Sequence, residues 1–164
     1  MRVAREEPGP GQESVWDYPR PPWLERTDHR IEVTLGGVVV ARTDAPLRVL
    51  ETSHPPTYYL PRASFVEGSL RPAPGGSLCE WKGRAGYLDV LGGGSVASAA
   101  AWYYPTPTTP FADIVDHVAL YPGAMDLCTL DDEVVRPQPG GFYGGWVTSG
   151  VVGPFKGAPG TMFW

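Results

Sequence analysis

The sequence predicts an all-β, mainly antiparallel domain, either a small barrel or a sandwich, with at most one helical turn. The chain holds 21 glycines and 19 prolines in 164 residues, which interrupt almost every window in which a helix could form. Hydrophobic residues still make up 42% and aromatic residues 12% of the chain, too many for a disordered polymer. Turn residues separate the apolar runs at short intervals, a spacing typical of hairpins rather than of βαβ units.

Two N-terminal segments precede the predicted domain. Residues 1–12 are charged and rich in glycine and proline, so we expect them to be mobile. Residues 13–28 form a proline-stiffened arm that carries three large aromatic side chains, Trp16, Tyr18 and Trp23. Because such rings are unfavourable in water, the arm should dock on its own domain or on the second subunit of a homodimer.

The domain itself is predicted to span residues 29–136. It begins with a hairpin, since apolar and polar residues alternate from Ile31 to Leu35 before a turn at Gly36-Gly37. A single helical turn is expected at 111–116. The further strands are predicted, in chain order, at 38–42, 47–51, 57–60, 78–82, 86–91, 97–104, 116–121, 125–130 and 133–136.

The C-terminal segment, residues 137–164, forms a second arm. It is rich in glycine and yet carries six large rings: Phe142, Tyr143, Trp146, Phe155, Phe163 and Trp164. Flexible linkers do not hold so many apolar side chains, so we expect this arm to fold over the domain or over a neighbouring subunit.

Composition and cysteine usage argue against several kinds of partner. The formal net charge of −5 disfavours nucleic-acid binding through phosphate neutralisation. No apolar leader or 18-residue apolar run is present, so no membrane association is expected. For the same reason we expect a cytoplasmic protein. Cys79 and Cys128 lie outside any CxxC or Cys/His cluster, which predicts no metal site and two free thiols, with a disulfide between them as the alternative. Walker A and Rossmann motifs are missing, so no cofactor is expected either.

Glu51 is the first candidate catalytic residue. Strand alternation places it in line with Leu47 and Val49, so its carboxylate faces the core if those two residues do. A partly desolvated carboxylate can act as a general acid or base near neutrality. The alternative is that Glu51 ends its strand paired with an arginine, such as Arg48 or Arg62.

The WKG segment supplies the second candidate group. Lys82 is one of only two lysines, the other being Lys156, and each stands between an aromatic residue and a glycine. Lys82 can hold an anion, stack on a ring or act as an amine nucleophile, and a surface lysine that covers apolar area is the structural alternative. If residues 78–82 form a strand, Cys79 and Trp81 share one face, where we expect them to contact a ligand; a buried structural thiol is the alternative for Cys79.

The segment at 51–59 adds further reactive groups. His54 precedes two prolines in a rigid extended turn, which suits a fixed proton donor. Tyr58 is the predicted catalytic phenol beside Glu51, His54 and Lys82. The remaining residues predicted to contact a ligand are Arg48, Tyr59, Trp102 and Tyr104.

Four segments together resemble a known family. In order, LRVLETSHPPTYYLPR, CEWKGRAGYLDV, AAAWYYPTP and DHVALY are similar to the bacterial proteins grouped as domain-of-unknown-function family 427, over about residues 30–136. The resemblance implies a small all-β fold similar to the β-tent proteins, which include methionine sulfoxide reductase B and the thalidomide-binding domain of cereblon. This sequence lacks the paired CxxC zinc knuckles of many β-tent proteins, and Glu80 replaces the proline of the family's CPWKG motif.

The function predicted from these residues is cofactor-independent acid–base chemistry on a small molecule, of the lyase, isomerase or cyclase type, in a pocket with aromatic walls. The first alternative is a non-catalytic module that holds a small or planar ligand between the same rings. The second is an interaction protein that grips a partner with its arms. A nucleotidyltransferase-like activity has the least support, because no glycine-serine segment is followed by the paired aspartates that this chemistry needs.

Overall fold

Antiparallel pairing dominates the computed structural model, which describes residues 2–164. Its strands are β1 (Glu13–Ser14), β2 (Trp23–Arg26), β3 (Ile31–Leu35), β4 (Val38–Thr43), β5 (Leu47–Leu50), β6 (Thr57–Pro61), β7 (Leu70–Cys79), β8 (Gly83–Gly92), β9 (Ser95–Tyr103), β10 (His117–Leu120), β11 (Leu127–Leu130), β12 (Glu133–Val134), β13 (Arg136–Pro137), β14 (Trp146–Val147) and β15 (Val151–Val152). Short 3₁₀ helices lie at Val15–Asp17, Arg62–Ser64, Thr109–Ile114 and Pro122–Ala124. None of the helices in this described part of the chain is long and apolar enough to cross a membrane. The all-β prediction is confirmed.

The strands pair into two main sheets that face each other. The larger sheet has the order β2-β5-β6-β10-β9-β8-β7 and the smaller one the order β12-β11-β3-β4, with all neighbours antiparallel. Across residues 2–164 both sheets stay open, so the sandwich rather than the barrel is the form that the chain adopts. The predicted turn at Gly36-Gly37 connects β3 to β4.

Strand alternation divides the buried side chains into two layers, one on each face of the seven-stranded sheet. Leu60 and Val118 point toward the four-stranded sheet and pack there with Ile31 in the main core. Tyr59 and Ala119 are each one residue away and point to the other face. This second layer is completed by Leu47, Val49, Ala85, Tyr104, Phe111 and Ile114.

The strand predicted at 78–82 is wrong in position. β7 spans Leu70–Cys79 and pairs with β8, whereas Glu80–Lys82 is the turn of that hairpin. Two prolines and two glycines obscure β7 in the sequence pattern, because a proline cannot donate a ladder hydrogen bond. The strand tolerates them since it is the edge of its sheet and contains a register shift. The alternation predicted for Cys79 and Trp81 therefore does not apply.

Both arms lie against the sandwich and against each other. β1 pairs in parallel with β15, so the two arms share one ladder of hydrogen bonds. Val15 and Tyr18 of the N-terminal arm are buried together with Leu50 of β5. The Trp16 indole donates a hydrogen bond to the Pro154 carbonyl over 2.9 Å. The aromatic residues of the N-terminal arm thus tie the C-terminal arm to β5.

The segment before the N-terminal arm also makes defined contacts. The Glu6 amide donates a hydrogen bond to the Gly153 carbonyl over 2.9 Å, and the Gly153 amide donates back to the Glu6 carboxylate over 2.9 Å. The Gln12 side-chain amide donates to the Ser149 carbonyl over 2.8 Å. The mobility expected for residues 1–12 stays a prediction: within this segment Glu6 and Gln12 hydrogen-bond to the C-terminal arm, and Met1 lies outside the described residues.

The two sheets meet at one end through their hairpin turns. Gly36, in the β3–β4 turn, has φ +62° and packs on the β8–β9 turn at Gly92–Gly93. A Cβ on Gly36 would lie 1.9 Å from the Gly92 carbonyl oxygen, too close for any side chain. The neighbouring Gly37 has φ +79°, but a Cβ there would meet nothing within 4 Å. Of the two glycines in the β3–β4 turn, Gly36 is therefore the one that the contact between sheets requires.

Substituting these two glycines one at a time distinguishes the stability lost through backbone strain from the stability lost through the contact between the sheets. Gly37→Ala should lower the free energy of unfolding by about 1 kcal/mol, the cost of a left-handed alanine. Gly36→Ala should lower it by about 3 kcal/mol or more, because the two turns must also move apart. Urea denaturation of both variants measures the difference, and equal losses would contradict the close packing of the turns.

The docking of the arms is tested by limited proteolysis. Trp16→Ala removes the hydrogen bond to Pro154 and should raise the rate of cleavage within residues 13–28 and 141–156 about tenfold or more, because local opening becomes easier. Trp23→Ala is the matched control, since the Trp23 side chain is 64% exposed. Cleavage of the wild-type arms at the rate of an unfolded peptide, with the sandwich left intact, would show that the arms are undocked.

Candidate functional site

A cavity of about 570 Å³ lies on the second face of the seven-stranded sheet, beneath the C-terminal arm. Its volume is in the range typical of small-molecule sites. Strands β5 to β9 and the β7–β8 turn contribute to its walls, and the arm contributes residues between 138 and 156. Seven aromatic side chains line it: Tyr59, Tyr87, Trp102, Tyr104, Tyr121, Phe142 and Tyr143. The charged and polar side chains that line the cavity include Glu51, His54, Lys82, Gln138 and Lys156.

Glu51 reaches the cavity because β5 alternates as the sequence predicts. Val49 belongs to the second layer and lines the cavity, and Glu51 follows two residues later on the same face. The predicted alternative was a pair between Glu51 and Arg48 or Arg62. Glu51 does pair with an arginine, but with a different one. Oε2 of Glu51 lies 3.4 Å from Nη2 of Arg20, which belongs to the N-terminal arm.

A tight turn brings the side chains of Glu51 and His54 together. The His54 amide donates a hydrogen bond to the Glu51 carbonyl over 3.0 Å, and Ser53, in the third position of this turn, has φ +73°. A serine is strained at positive φ, and here both arms hold it in place. The Ser53 amide donates to the Val15 carbonyl over 3.0 Å, and the Lys156 amide donates to the Ser53 carbonyl over 2.9 Å. As a result, Nε2 of His54 lies 3.6 Å from Oε2 of Glu51.

Gln138 sets the tautomer of His54. The Gln138 side-chain nitrogen donates to the Lys156 carbonyl over 2.8 Å, and its oxygen accepts from the Gly145 amide over 3.1 Å, which fixes the orientation of the side-chain amide. The same nitrogen lies 3.0 Å from Nδ1 of His54. Nδ1 is therefore the acceptor and the ring proton of the neutral imidazole is on Nε2, the atom that faces Glu51.

The charge state of His54 follows from its surroundings. Burial lowers the pKa of His54 from 6.5 to about 4. Glu51 acts against this change, whereas the positive charges of Lys156 and Arg20 add to it. The ring of Tyr143 covers the imidazole edge-on, with ring centres 4.7 Å apart. His54 is therefore neutral at pH 7 and presents an N–H donor.

Lys82 enters the cavity from the β7–β8 turn. Gly83 has φ +107° and pairs with Cys79 across the hairpin, so the turn has three residues and Lys82 is the last of them. Its Nζ lies 5.9 Å from the ring centre of Tyr104 and 5.8 Å from that of Phe111. At these distances the ammonium group interacts with both ring faces. Lys82 is thus a cavity residue rather than a strand residue.

The C-terminal arm adds a second lysine, which we did not assign to the site from the sequence. Lys156 lines the cavity, with Nζ 5.6 Å from the ring centre of Tyr143 and 3.3 Å from the carbonyl oxygen of Trp164. Gln138 was not assigned either. For Lys156 the sequence contains one signal, because this lysine, like Lys82, stands between an aromatic residue and a glycine. No local pattern shows that residues so distant in the chain meet.

Two of the predicted site residues lie away from the cavity. Tyr58 belongs to the main core, where its ring centre is 5.3 Å from that of Trp146 and burial raises its pKa to about 12. Arg48 pairs with the carboxylates of Glu13 and Glu25 at 2.9 Å and 2.7 Å. Each is one residue out of phase with a cavity residue on its strand, so strand alternation turns it to the other face.

Most of the predicted walls are found in the cavity. Tyr59, Cys79, Trp102 and Tyr104 line it, whereas Trp81 packs beside the second layer without lining the cavity. The rings of Tyr59 and Tyr104 have centres 6.4 Å apart, and burial raises the pKa of both phenols. Their hydroxyl groups therefore stay protonated. Cys79 is a free, partly exposed thiol.

The groups available for chemistry are thus a carboxylate, a neutral imidazole and two ammonium groups. Within residues 2–164 no three His, Cys, Asp or Glu side chains are grouped so that they could hold a metal ion. The glycine-serine segment 92–95 forms the β8–β9 turn and packs on Gly36, outside the lining of the cavity.

Comparison with known proteins identifies one similar family. A sequence model of the family described as a domain of unknown function, DUF427, matches residues 23–131, which is more than half of the chain. The matched range contains β2 to β11 and hence Glu51, His54 and Lys82. Gln138 and Lys156 lie beyond it, on the C-terminal arm. A search of the curated proteins found no match to the chain.

The buried state of His54 predicts a pH dependence of folding. Between pH 6.5 and 4 the unfolded chain protonates this ring while the folded protein keeps it neutral, so stability falls as the pH drops through this window. Over this interval the wild type should lose about 3 kcal/mol more than His54→Gln. Urea unfolding at several pH values measures the loss.

His117→Gln is the control for this experiment, because His117 does not line the cavity. It should keep the pH slope of the wild type. Nitrogen-15 NMR of the imidazole provides a second readout, and a proton on Nε2 at pH 7 is the expected result. A His54→Gln variant with the wild-type slope would contradict the neutral, buried histidine.

Proposed function

The chain belongs to the domain-of-unknown-function family DUF427, and from the site of this member we propose a cofactor-independent enzyme that performs acid–base chemistry on a small molecule. The observation that carries the proposal is the convergence of Glu51, His54 and two lysines on one cavity with aromatic walls. A proton acceptor, a proton donor and positive charges in one cavity are the parts that such chemistry needs.

The proposed reaction begins with removal of a proton from a carbon next to a carbonyl group. The Glu51 carboxylate accepts this proton, and the electron pair of the C–H bond moves toward the carbonyl oxygen. The ammonium group of Lys156, which is close enough to His54 to affect its pKa, stabilises the negative charge that develops there. Glu51 then returns the proton to a second carbon in an isomerisation, or to a group that leaves from the β-carbon in an elimination.

His54 serves as the fixed donor in this proposal. Its Nε2–H faces Oε2 of Glu51 at 3.6 Å, and Gln138 prevents the ring from exchanging its two nitrogens. A neutral imidazole donates a hydrogen bond to a developing oxyanion or to the carboxylate without adding a charge to the cavity. Lys82 lies beside Tyr104 and Phe111, so we assign it to substrate binding rather than to proton transfer.

The alternative function is a non-catalytic module that holds a planar ligand. Its support is the aromatic lining of the cavity, since rings alone can enclose a ligand. An aromatic cage has no need of a displaced titrating group, whereas catalytic sites are where such groups concentrate. The lowered pKa of His54 therefore favours the enzyme. We also propose that the protein acts in the cytoplasm, where the Cys79 thiol stays reduced.

Glu51→Gln tests the proposal because it keeps the shape of the side chain and removes the proton acceptor. A thermal-shift screen of small carbonyl compounds comes first, since a ligand at 100 times its Kd adds about 2.7 kcal/mol to stability. For a compound that the wild type binds and converts, Glu51→Gln should lower kcat about 100-fold or more with little change in Kd.

Glu80→Gln is the matched control, because Glu80 belongs to the same turn as Lys82 and does not line the cavity. This variant should keep wild-type kinetics. Unchanged turnover in Glu51→Gln would refute the assignment of Glu51. A tightly bound compound that the wild type never converts would support the binding module instead.

A further inference from the structure

Both lysines of this acidic protein line the cavity. The chain has a formal net charge of −5 and thirteen cationic side chains, of which only Lys82 and Lys156 are lysines. Both of them line the cavity, and among the described residues that line it there is neither an arginine nor an aspartate. The cationic residues of the cavity are therefore of a different kind from those of the surface.

The single carboxylate of the cavity does not cancel this charge. Glu51 is paired with Arg20 at 3.4 Å, and Arg20 itself belongs to the N-terminal arm outside the cavity lining. His54 is neutral at pH 7 because burial lowers its pKa. Among the side chains that line the cavity, two ammonium groups therefore outnumber one carboxylate, so the side-chain charge of the cavity is positive within a negatively charged protein.

Neither ammonium group has an aspartate or glutamate side chain as a partner among residues 2–164. Nζ of Lys82 lies near the ring centres of Tyr104 and Phe111, at 5.9 Å and 5.8 Å. Nζ of Lys156 lies near Tyr143 and donates to the main-chain oxygen of Trp164 over 3.3 Å, so Lys156 has a partner already. An ammonium group has three N–H donors, and ring faces accept none of them in a conventional hydrogen bond. Lys82 therefore retains donors for a ligand.

The two lysines are placed at different parts of the cavity. Lys156 is near His54 and Tyr143, where the proton acceptor Glu51 also lies. Lys82 is beside Tyr104, whose ring neighbours Tyr59. A ligand that spans the cavity can thus reach the acid–base pair with one part and Lys82 with another, while the rings between them contact its flat faces.

We propose that the substrate of this site is a small planar or aromatic organic anion, whose carboxylate or phosphate group is bound by Lys82. Calling this ligand a substrate rests on the proposed function, and the inference adds the chemical class of that substrate. Lys82 acts as the anchor that positions the molecule, and the aromatic walls select a flat body. An ammonium group is a point charge without a preferred fork geometry, so it accommodates either a carboxylate or a phosphate.

Calorimetric titration with three probes tests the inference at low salt. Benzoate and phenyl phosphate are planar anions, and benzamide is the neutral analogue of benzoate with nearly the same shape. At least one of the anions should bind about tenfold or more tightly than benzamide, because it gains a hydrogen bond between charged groups. The tighter of the two anions identifies the group that Lys82 prefers.

Variants at Lys82 assign the preference to this residue. Lys82→Gln should abolish the advantage of the anion over benzamide, and Lys82→Arg should restore it at least in part. Arg84→Gln removes a nearby exposed charge that does not line the cavity, so it should keep the wild-type preference. Thermal unfolding of each variant checks that it is folded.

Three results would overturn the inference: benzamide binding as tightly as both anions, equal losses in Lys82→Gln and Arg84→Gln, or no binding of any of the three probes. The binding experiment involves no turnover, so Glu51→Gln should keep the preference for anions. An anion held by Lys82 in a protein that converts no compound would refute the proposed enzyme and retain the ligand class. Glu51-dependent conversion of a neutral compound would support the proposed enzyme and refute the ligand class.

Discussion

The backbone of Ser53 is the point on which the site depends, because both arms attach to it. Its amide donates to Val15 of the N-terminal arm, and its carbonyl accepts from Lys156 of the C-terminal arm. These two bonds hold a serine at φ +73°, a conformation that is strained for a side chain with a Cβ. The turn that results places Glu51 beside His54, and the same bond to Lys156 brings that lysine to the cavity. The backbone of one residue thus connects three distant parts of the chain and brings together site groups from two of them.

The glycine content of the C-terminal arm follows from how closely this arm packs. A Cβ on Gly144 would lie 2.3 Å from the ring of Trp102, and a Cβ on Gly140 would lie 2.0 Å from the carbonyl oxygen of Gly157. The arm therefore lies directly on the aromatic floor of the cavity and on its own backbone. Tyr143 projects from between these glycines to cover His54. A composition that resembles a flexible linker in the sequence is here the requirement for a closely fitted cover.

Local patterns predicted the parts of this structure that depend on local physics. The alternation of β5 placed Glu51 on the correct face, and the same alternation excludes Arg48, which directly precedes Val49, from that face. Tyr58 is excluded for the same reason. The assignment of these two residues to the site was therefore wrong although the sequence pattern already placed them on the other face. β7 was missed because an edge strand accepts prolines that the interior of a sheet excludes. Gln138 and Lys156 reach the site only through the docking of the arm, and no periodicity encodes a contact between such distant segments.

Several features that oppose folding lie together at this cavity. Ser53 combines backbone strain with a buried hydroxyl that has no hydrogen-bond partner among the described residues. His54 is buried at a cost that its lowered pKa records, and two ammonium groups face rings instead of carboxylates. Elsewhere such features occur singly, as at Ala99 with φ +49°, at Asp116 with φ +61° and at the buried Trp146 indole, which has no hydrogen-bond partner among the described residues. Apolar layers cover both faces of the large sheet, and ion pairs lie at the surface. A chain that needed only stability would gain by replacing these groups, so their assembly around one cavity supports the proposal that the cavity is a functional site.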